Sequence, residues 1–226
     1  MQMFGISLYQ PKVIETRQEG RAFFNPRTVF AANEITEYTT PYLSQIPCSW
    51  GAVYFPEHWR EFHSYLNVRL SEVLSDIGAV VVPNARSNRW PKSWKKYFIE
   101  MAYLRGYAMV YPNYDNFVSL STNHFEVGSH VKDTQWESYV QKREMFRVPL
   151  MGLEGTTRLV DLPHGTLPAF DDLPVLDLFG QLSSLEILIL LGKTRRSEMV
   201  PACEPFPENH HIRPDFKDFL CIPRTE

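Results

Sequence analysis

PKSWKKYFIEMAYLRGYAMVYPN, residues 91–113, is the stretch on which the fold turns. Ser93 is an N-cap residue type, and after it Trp94, Tyr97, Phe98, Met101 and Leu104 recur at three- and four-residue spacing, the apolar stripe of a helix. Pro91 suits a first turn, and Gly106 stands where a left-handed C-terminal cap belongs. YAMVYP follows with the length and composition of a strand, stopped by Pro112. A helix running directly into a strand places the chain in the α/β class.

Working towards the amino terminus, AVVVP (79–83) reads as a short buried strand. A helix is expected after Pro56, with Trp59, Phe62, Leu66, Leu70 and Val73 on one face and Gly78 closing the segment. Residues 17–49 are rich in turn-formers and threonine and read as a surface loop, and FGISLY (4–9) alternates as a strand does. Towards the carboxyl terminus, WESYVQKREMF reads as a helix, and LVDLPHGTLPAFDDLPVLDLFG as an extended tail packing its leucines on a core. Ser183 with Glu186 forms a capping-box pattern for a last short helix ending at Gly192. Beyond Lys193 the chain is polar and proline-rich, an end expected to be mobile. The organisation expected is a domain over residues 1–150, followed by a proline-rich extension over 151–226 with one short helix.

Composition bounds the function. The 226 residues are 44% hydrophobic and 14% aromatic, enough to bury a core, which excludes wholesale disorder. A net charge of −3 gives no bulk attraction to nucleic acid or to anionic membrane. The longest apolar run, Leu185 to Leu191, contains Glu186 and falls well short of the roughly 18 residues a membrane span needs. Three cysteines, Cys48, Cys203 and Cys221, are an odd number without CxxC spacing. That argues against a disulfide framework and a zinc site. A Cys203–Cys221 bridge would require an oxidising compartment. MQMFGISLYQPK lacks the charged start and apolar stretch of a secretory signal, so the expected location is the cytoplasm or the cytosolic face of a membrane.

Two passages, CSWGAVYFPEHWREF (48–62) and KKYFIEMAYLRGYAMVYPN (95–113), together resemble the acceptor-side half of family 2 glycosyltransferases with the GT-A fold. In that family a small residue and a glycine precede an apolar strand and a helix. Later comes an acidic motif on a helix, then a leucine, an arginine, a glycine and a strand ending in proline. Glu100 falls at the acidic position, followed in order by Leu104, Arg105 and Gly106. Where the family usually has a Glu-Asp pair, Met101 follows Glu100 here. The resemblance covers roughly residues 4–131 and implies a partial GT-A-like mixed sheet flanked by helices. It also implies inverting transfer of a sugar from a nucleotide-sugar donor to a hydroxyl of a glycan acceptor, with Glu100 as the base that takes the proton. The alternative for Glu100 is an ordinary exposed helix residue.

The same resemblance implies that His124 or His130, in STNHFEVGSHV, helps hold a Mn or Mg ion on the diphosphate. His124, Glu126 and His130 could equally form an isolated metal site, although their spacing matches no standard zinc pattern, or His124 could simply satisfy a turn. Trp59 and Trp94 lie on apolar stripes and are expected to be buried, while Trp50 and Trp90 lie in loops and suit sugar stacking. Gly51 beside Trp50, and Arg86 and Asn88 beside Trp90, complete the substrate-binding candidates. The donor-binding half and the Asp-x-Asp motif of such an enzyme are not seen. Three readings therefore stand: a glycosyltransferase-like protein whose donor half is supplied elsewhere, a non-catalytic carbohydrate- or protein-binding module, and a metal-dependent hydrolase. An isolated acceptor half would expose sheet edges and apolar surface, so a partner chain or a homodimer is expected.

Overall fold

A computed structural model describes residues 2–71, 80–123, 136–152, 165–200 and 215–221. The helix–strand unit lies at its centre: α3 (Trp94–Arg105) ends at Gly106, whose φ of 66° provides the left-handed cap, and β6 (Ala108–Tyr111) follows. Around β6 a mixed sheet assembles from β1 (Met3–Ser7), β4 (Tyr42–Ser44), β5 (Ala52–Tyr54), β7 (Val175–Leu176) and β8 (Leu182–Ser183), in the order β5-β1-β6-β4-β7-β8. β1 runs parallel to β6 and β4 parallel to β7, while the other three pairings are antiparallel. A separate two-stranded ribbon joins β2 (Val13–Ile14) to β3 (Ala22–Phe23).

Side-chain alternation gives the sheet two faces. Phe4, Tyr42, Met109 and Tyr111 join the main core with Phe62 and Tyr65 of α2 (Pro56–Leu70) and with Phe98, Ile99 and Met101 of α3. On the opposite face Leu43, Ala108 and Val175 pack with Leu188 of α5 (Leu185–Met199). Towards the β5 edge that second face is more open, with Ile6 and Val53 directly paired and 40% and 50% exposed. The remaining helices are α1 (Pro26–Ala32), α4 (Trp136–Phe146) and α6 (Phe216–Phe219).

Several expectations change. Residues 17–49 are not one loop, since they supply β3, α1 and the internal strand β4. β4 was missed because YLS is too short to show a period, and its pairing on both sides is long-range. Residues 80–83 form no strand, and the guanidinium of Arg195 on α5 instead holds the carbonyls of Val80 and Val81. α2 buries His58, Phe62, Tyr65 and Val68, a face turned away from the expected one, leaving Trp59 44% and Leu70 63% exposed. Trp94 is likewise 40% exposed. Val73 and Gly78 lie outside the described residues.

Residues beyond 150 are more than an extension: β7 and β8 belong to the same sheet as β1, so a boundary at residue 150 does not divide it. Helix α5 starts one residue later than expected, with Ser184 accepting from the Ile187 amide, and continues through Gly192 to Met199. Gly192 does not end the helix because its bare Cα lets α5 lie against α3, where a Cβ would stand 2.5 Å from the carbonyl oxygens of Tyr103 and Leu104. Further on, α6 is docked on the body of the protein. Cys48 is a free buried thiol, Cys221 is disulfide-bonded, and Cys203 lies outside the described residues. Among the described residues no helix is long and apolar enough to cross a membrane.

Candidate functional site

Glu100 is 1% exposed and faces α2. Tyr65 and Arg69 are four apart on α2, and Lys96 and Glu100 four apart on α3, so each pair shares one helix face and the two faces meet. The Tyr65 hydroxyl donates to Oε2 of Glu100 at 2.8 Å, and Arg69 reaches both carboxylate oxygens, Nε to Oε2 at 2.9 Å and a terminal nitrogen to Oε1 at 3.4 Å. Lys96 lies 3.8 Å from Oε1. Burial, followed by the charge of Glu100, holds the Tyr65 phenol well above its usual range, so it remains a donor. Chemically this is an anion held by a forked guanidinium and a hydroxyl, with both oxygens engaged.

Trp50 and Trp90 both line one small cavity. Lys95 and Glu15 face it with an ion pair at 3.2 Å, and the Lys95 ammonium sits 5.1 Å from the Trp50 ring centre. Tyr9, Cys48 and Tyr111 also line it, and burial pushes all three of these groups up and keeps them protonated. The cavity holds about 20 Å³, room for a single water and not for a sugar ring. Gly51 has φ of 136°, and a side chain there would collide with Ser121; its carbonyl accepts from the Leu8 amide at 2.8 Å. Both features give it a part in loop geometry.

Arg86 and Asn88 lie on a 3₁₀ turn, Arg86–Arg89, and are tied inward. The Arg86 amide bonds the Thr16 carbonyl at 2.8 Å, its guanidinium lies over Trp90, and the Asn88 amide group donates to Val82 at 2.8 Å. Nη1 of Arg86, Oγ of Ser87 and Oδ1 of Asn88 are buried without a hydrogen-bond partner among the described residues. His124, Glu126 and His130 lie outside the described residues, and among those described no three His, Cys, Asp or Glu side chains gather as a metal site would need.

The site that sequence reading missed is an open groove of about 370 Å³ lined by Arg17, Gln18, Glu19, Asn84, Phe179 and Gln181. Three turns far apart in sequence build it: the β2–β3 turn, the turn at Asn84, and the β7–β8 hairpin. Arg17 donates to the Phe179 carbonyl at 3.1 Å, Thr16 to the Leu178 carbonyl, and Arg89 to the Gln18 carbonyl at 3.4 Å. Asp177 shapes the hairpin by accepting from the Phe179 and Gln181 amides at 2.8 and 2.9 Å. Burial outweighs these bonds and raises its carboxyl above the usual value. Asn84 has a left-handed φ of 57°, which asparagine tolerates better than most residues.

Residues 10–74, from just before β2 to just past α2, match the model of a family described as the SPBC1E8.03c C-terminal domain. No curated protein and no solved structure matches the chain. The matched stretch is less than a third of the chain and contributes Arg17, Gln18 and Glu19 to the groove, with Tyr65 and Arg69 beside Glu100.

Proposed function

We propose that the chain is a non-catalytic carbohydrate-binding module that takes a neutral glycan in the groove between the β2–β3 turn, Asn84 and the β7–β8 hairpin. The observation that carries this reading is the lining. Three carboxamides (Gln18, Asn84 and Gln181), one guanidinium and one carboxylate offer donors and acceptors together, as an array of sugar hydroxyls requires, and Phe179 offers an apolar face to the ring. Arg17 and Glu19 balance in charge, which suits a neutral ligand better than a phosphorylated one. About 370 Å³ is ample for one sugar ring, which the Trp50–Trp90 cavity is not. A transfer reaction with Glu100 as base receives less support, because that carboxylate is buried and engaged by Tyr65 and Arg69.

The test is titration of neutral oligosaccharides by NMR, with no nucleotide or metal added. Binding to the wild type, weakened about tenfold or more in Asn84→Ala and Gln181→Ala, is the expected result, since each removes a polar partner from a bound hydroxyl. Binding lost in Trp50→Ala and Trp90→Ala but unaffected at the groove would move the site. Binding of a UDP- or GDP-sugar only with manganese would restore the glycosyltransferase reading, and no glycan binding at all would reject the module.

A further inference from the structure

On one side the sheet ends at β5, and there its bonding is incomplete. The Phe55 amide donates to the Phe4 carbonyl at 3.0 Å and the Leu8 amide to the Gly51 carbonyl at 2.8 Å, with Ile6 opposite Val53 between them. Hydrogen-bonded pairs alternate along an antiparallel ladder, so the amide and carbonyl of Val53 face β1. Those of Ala52 and Tyr54 face outward, and among the described residues no strand pairs with that side. The strand carries neither proline nor charge, two usual guards of an exposed edge. Apolar side chains gather beside it on both faces of the sheet. On one face the register sets Val175, Leu43, Val110, Ile6 and Val53 in a row, of which the last two are 40% and 50% exposed. On the other, the Trp59 ring centre lies 5.3 Å from that of Tyr54 and 6.1 Å from that of Trp94, and the two tryptophans are 44% and 40% exposed.

This edge is complementary to itself. Two copies of β5 set antiparallel about Val53 bring Ala52 of each opposite Tyr54 of the other. The outward amides and carbonyls then meet as two hydrogen-bonded pairs, each exchanging two bonds. Val53 faces Val53 of the second copy in the closer, non-hydrogen-bonded pair between them, and the apolar row runs on from one sheet into the next. We propose that the chain associates with a second copy of itself through β5, joining two six-stranded sheets into one across a two-fold axis. An isologous contact of this kind satisfies the edge and covers Val53 and Ile6 together. The opposite edge, β8, is only two residues long and offers fewer bonds to another strand. Because β5 and β8 lie at opposite edges, pairing at β5 leaves the groove at the β7–β8 hairpin open in each copy, whatever that groove binds.

The experiment is sedimentation velocity of the full chain over a wide range of concentration, with folding of each variant checked by circular dichroism. The wild type should pass reversibly from monomer to dimer as concentration rises. Val53→Lys sets like charges opposite each other at the axis and should raise the dissociation constant about tenfold or more. Leu70→Lys, 63% exposed at the far end of α2, should leave it unchanged. Val53→Cys gives a second reading that introduces no charge. The register puts the two Cα atoms about 4.5 Å apart, within disulfide reach, so mild oxidation should link the two copies at residue 53. A wild type that stays monomeric throughout, a dimer equally stable in folded Val53→Lys, or a Val53→Cys chain yielding no more covalent dimer than the wild type would each overturn the proposal.

Discussion

At Glu100 a buried carboxylate is held by residues from a second helix, and its replacement separates an anchoring role from a surface one. Glu100→Gln keeps the shape but removes the charge that Arg69 and Lys96 face, leaving cationic groups with side-chain exposures of 8% and 10% without their anion. Removing one partner of a buried pair costs about 3 kcal/mol or more. For a chain of this size that lowers Tm by roughly 6 °C or more, measurable by calorimetry. A shift below about 1 °C would mean that the pairing contributes nothing. The sequence made the acid and its neighbours on α3 legible, but not Tyr65 and Arg69, because the meeting of the two helix faces is set by packing. Trp50 and Trp90 illustrate the same limit: their convergence on one cavity depends on loops brought together across α3 and the β2–β3 ribbon.

Among the elements, α3, β6 and α4 lie where the sequence places them. The helix–strand unit of α3 and β6 carries its own punctuation, which local backbone energetics enforce: Gly106 can adopt φ of 66° more cheaply than any other residue. Helix α5 runs against its local signals, since Gly192 reads as a stop but lies inside the helix. The reason lies in α3, whose Tyr103 and Leu104 carbonyls leave no space for a side chain. Gly192→Ala raises intrinsic helix propensity, yet its methyl group forces the two helices apart. The expected outcome is net destabilisation of about 1–3 kcal/mol in chemical denaturation. Gly152→Ala, where nothing stands within 4 Å of a Cβ, serves as the control and should be near neutral. A stabilised Gly192→Ala would show that α5 and α3 can separate without loss.

Across the whole molecule, the sheet is completed by residues from both ends of the chain. β7 covers β4 through bonds from the Leu43 and Gln45 amides to the Pro174 and Leu176 carbonyls at 2.8 and 3.1 Å, and Leu176 and Leu188 are both fully buried. A fragment of residues 1–150 would expose that edge and the Leu43–Ala108 face. It should therefore show no cooperative thermal transition by circular dichroism where the full chain shows one. A cooperative melt like that of the full chain would establish residues 1–150 as a folding unit. By itself the sequence determined the α/β class, the central helix–strand unit and the absence of strong charge, because propensity, capping and composition are local quantities. The tertiary structure alone decided that β4 and β7 join one sheet, that Glu100 is clasped by α2, and that three distant turns form the groove. Those features depend on pairing and packing between residues tens to more than a hundred positions apart, and no local period records such contacts.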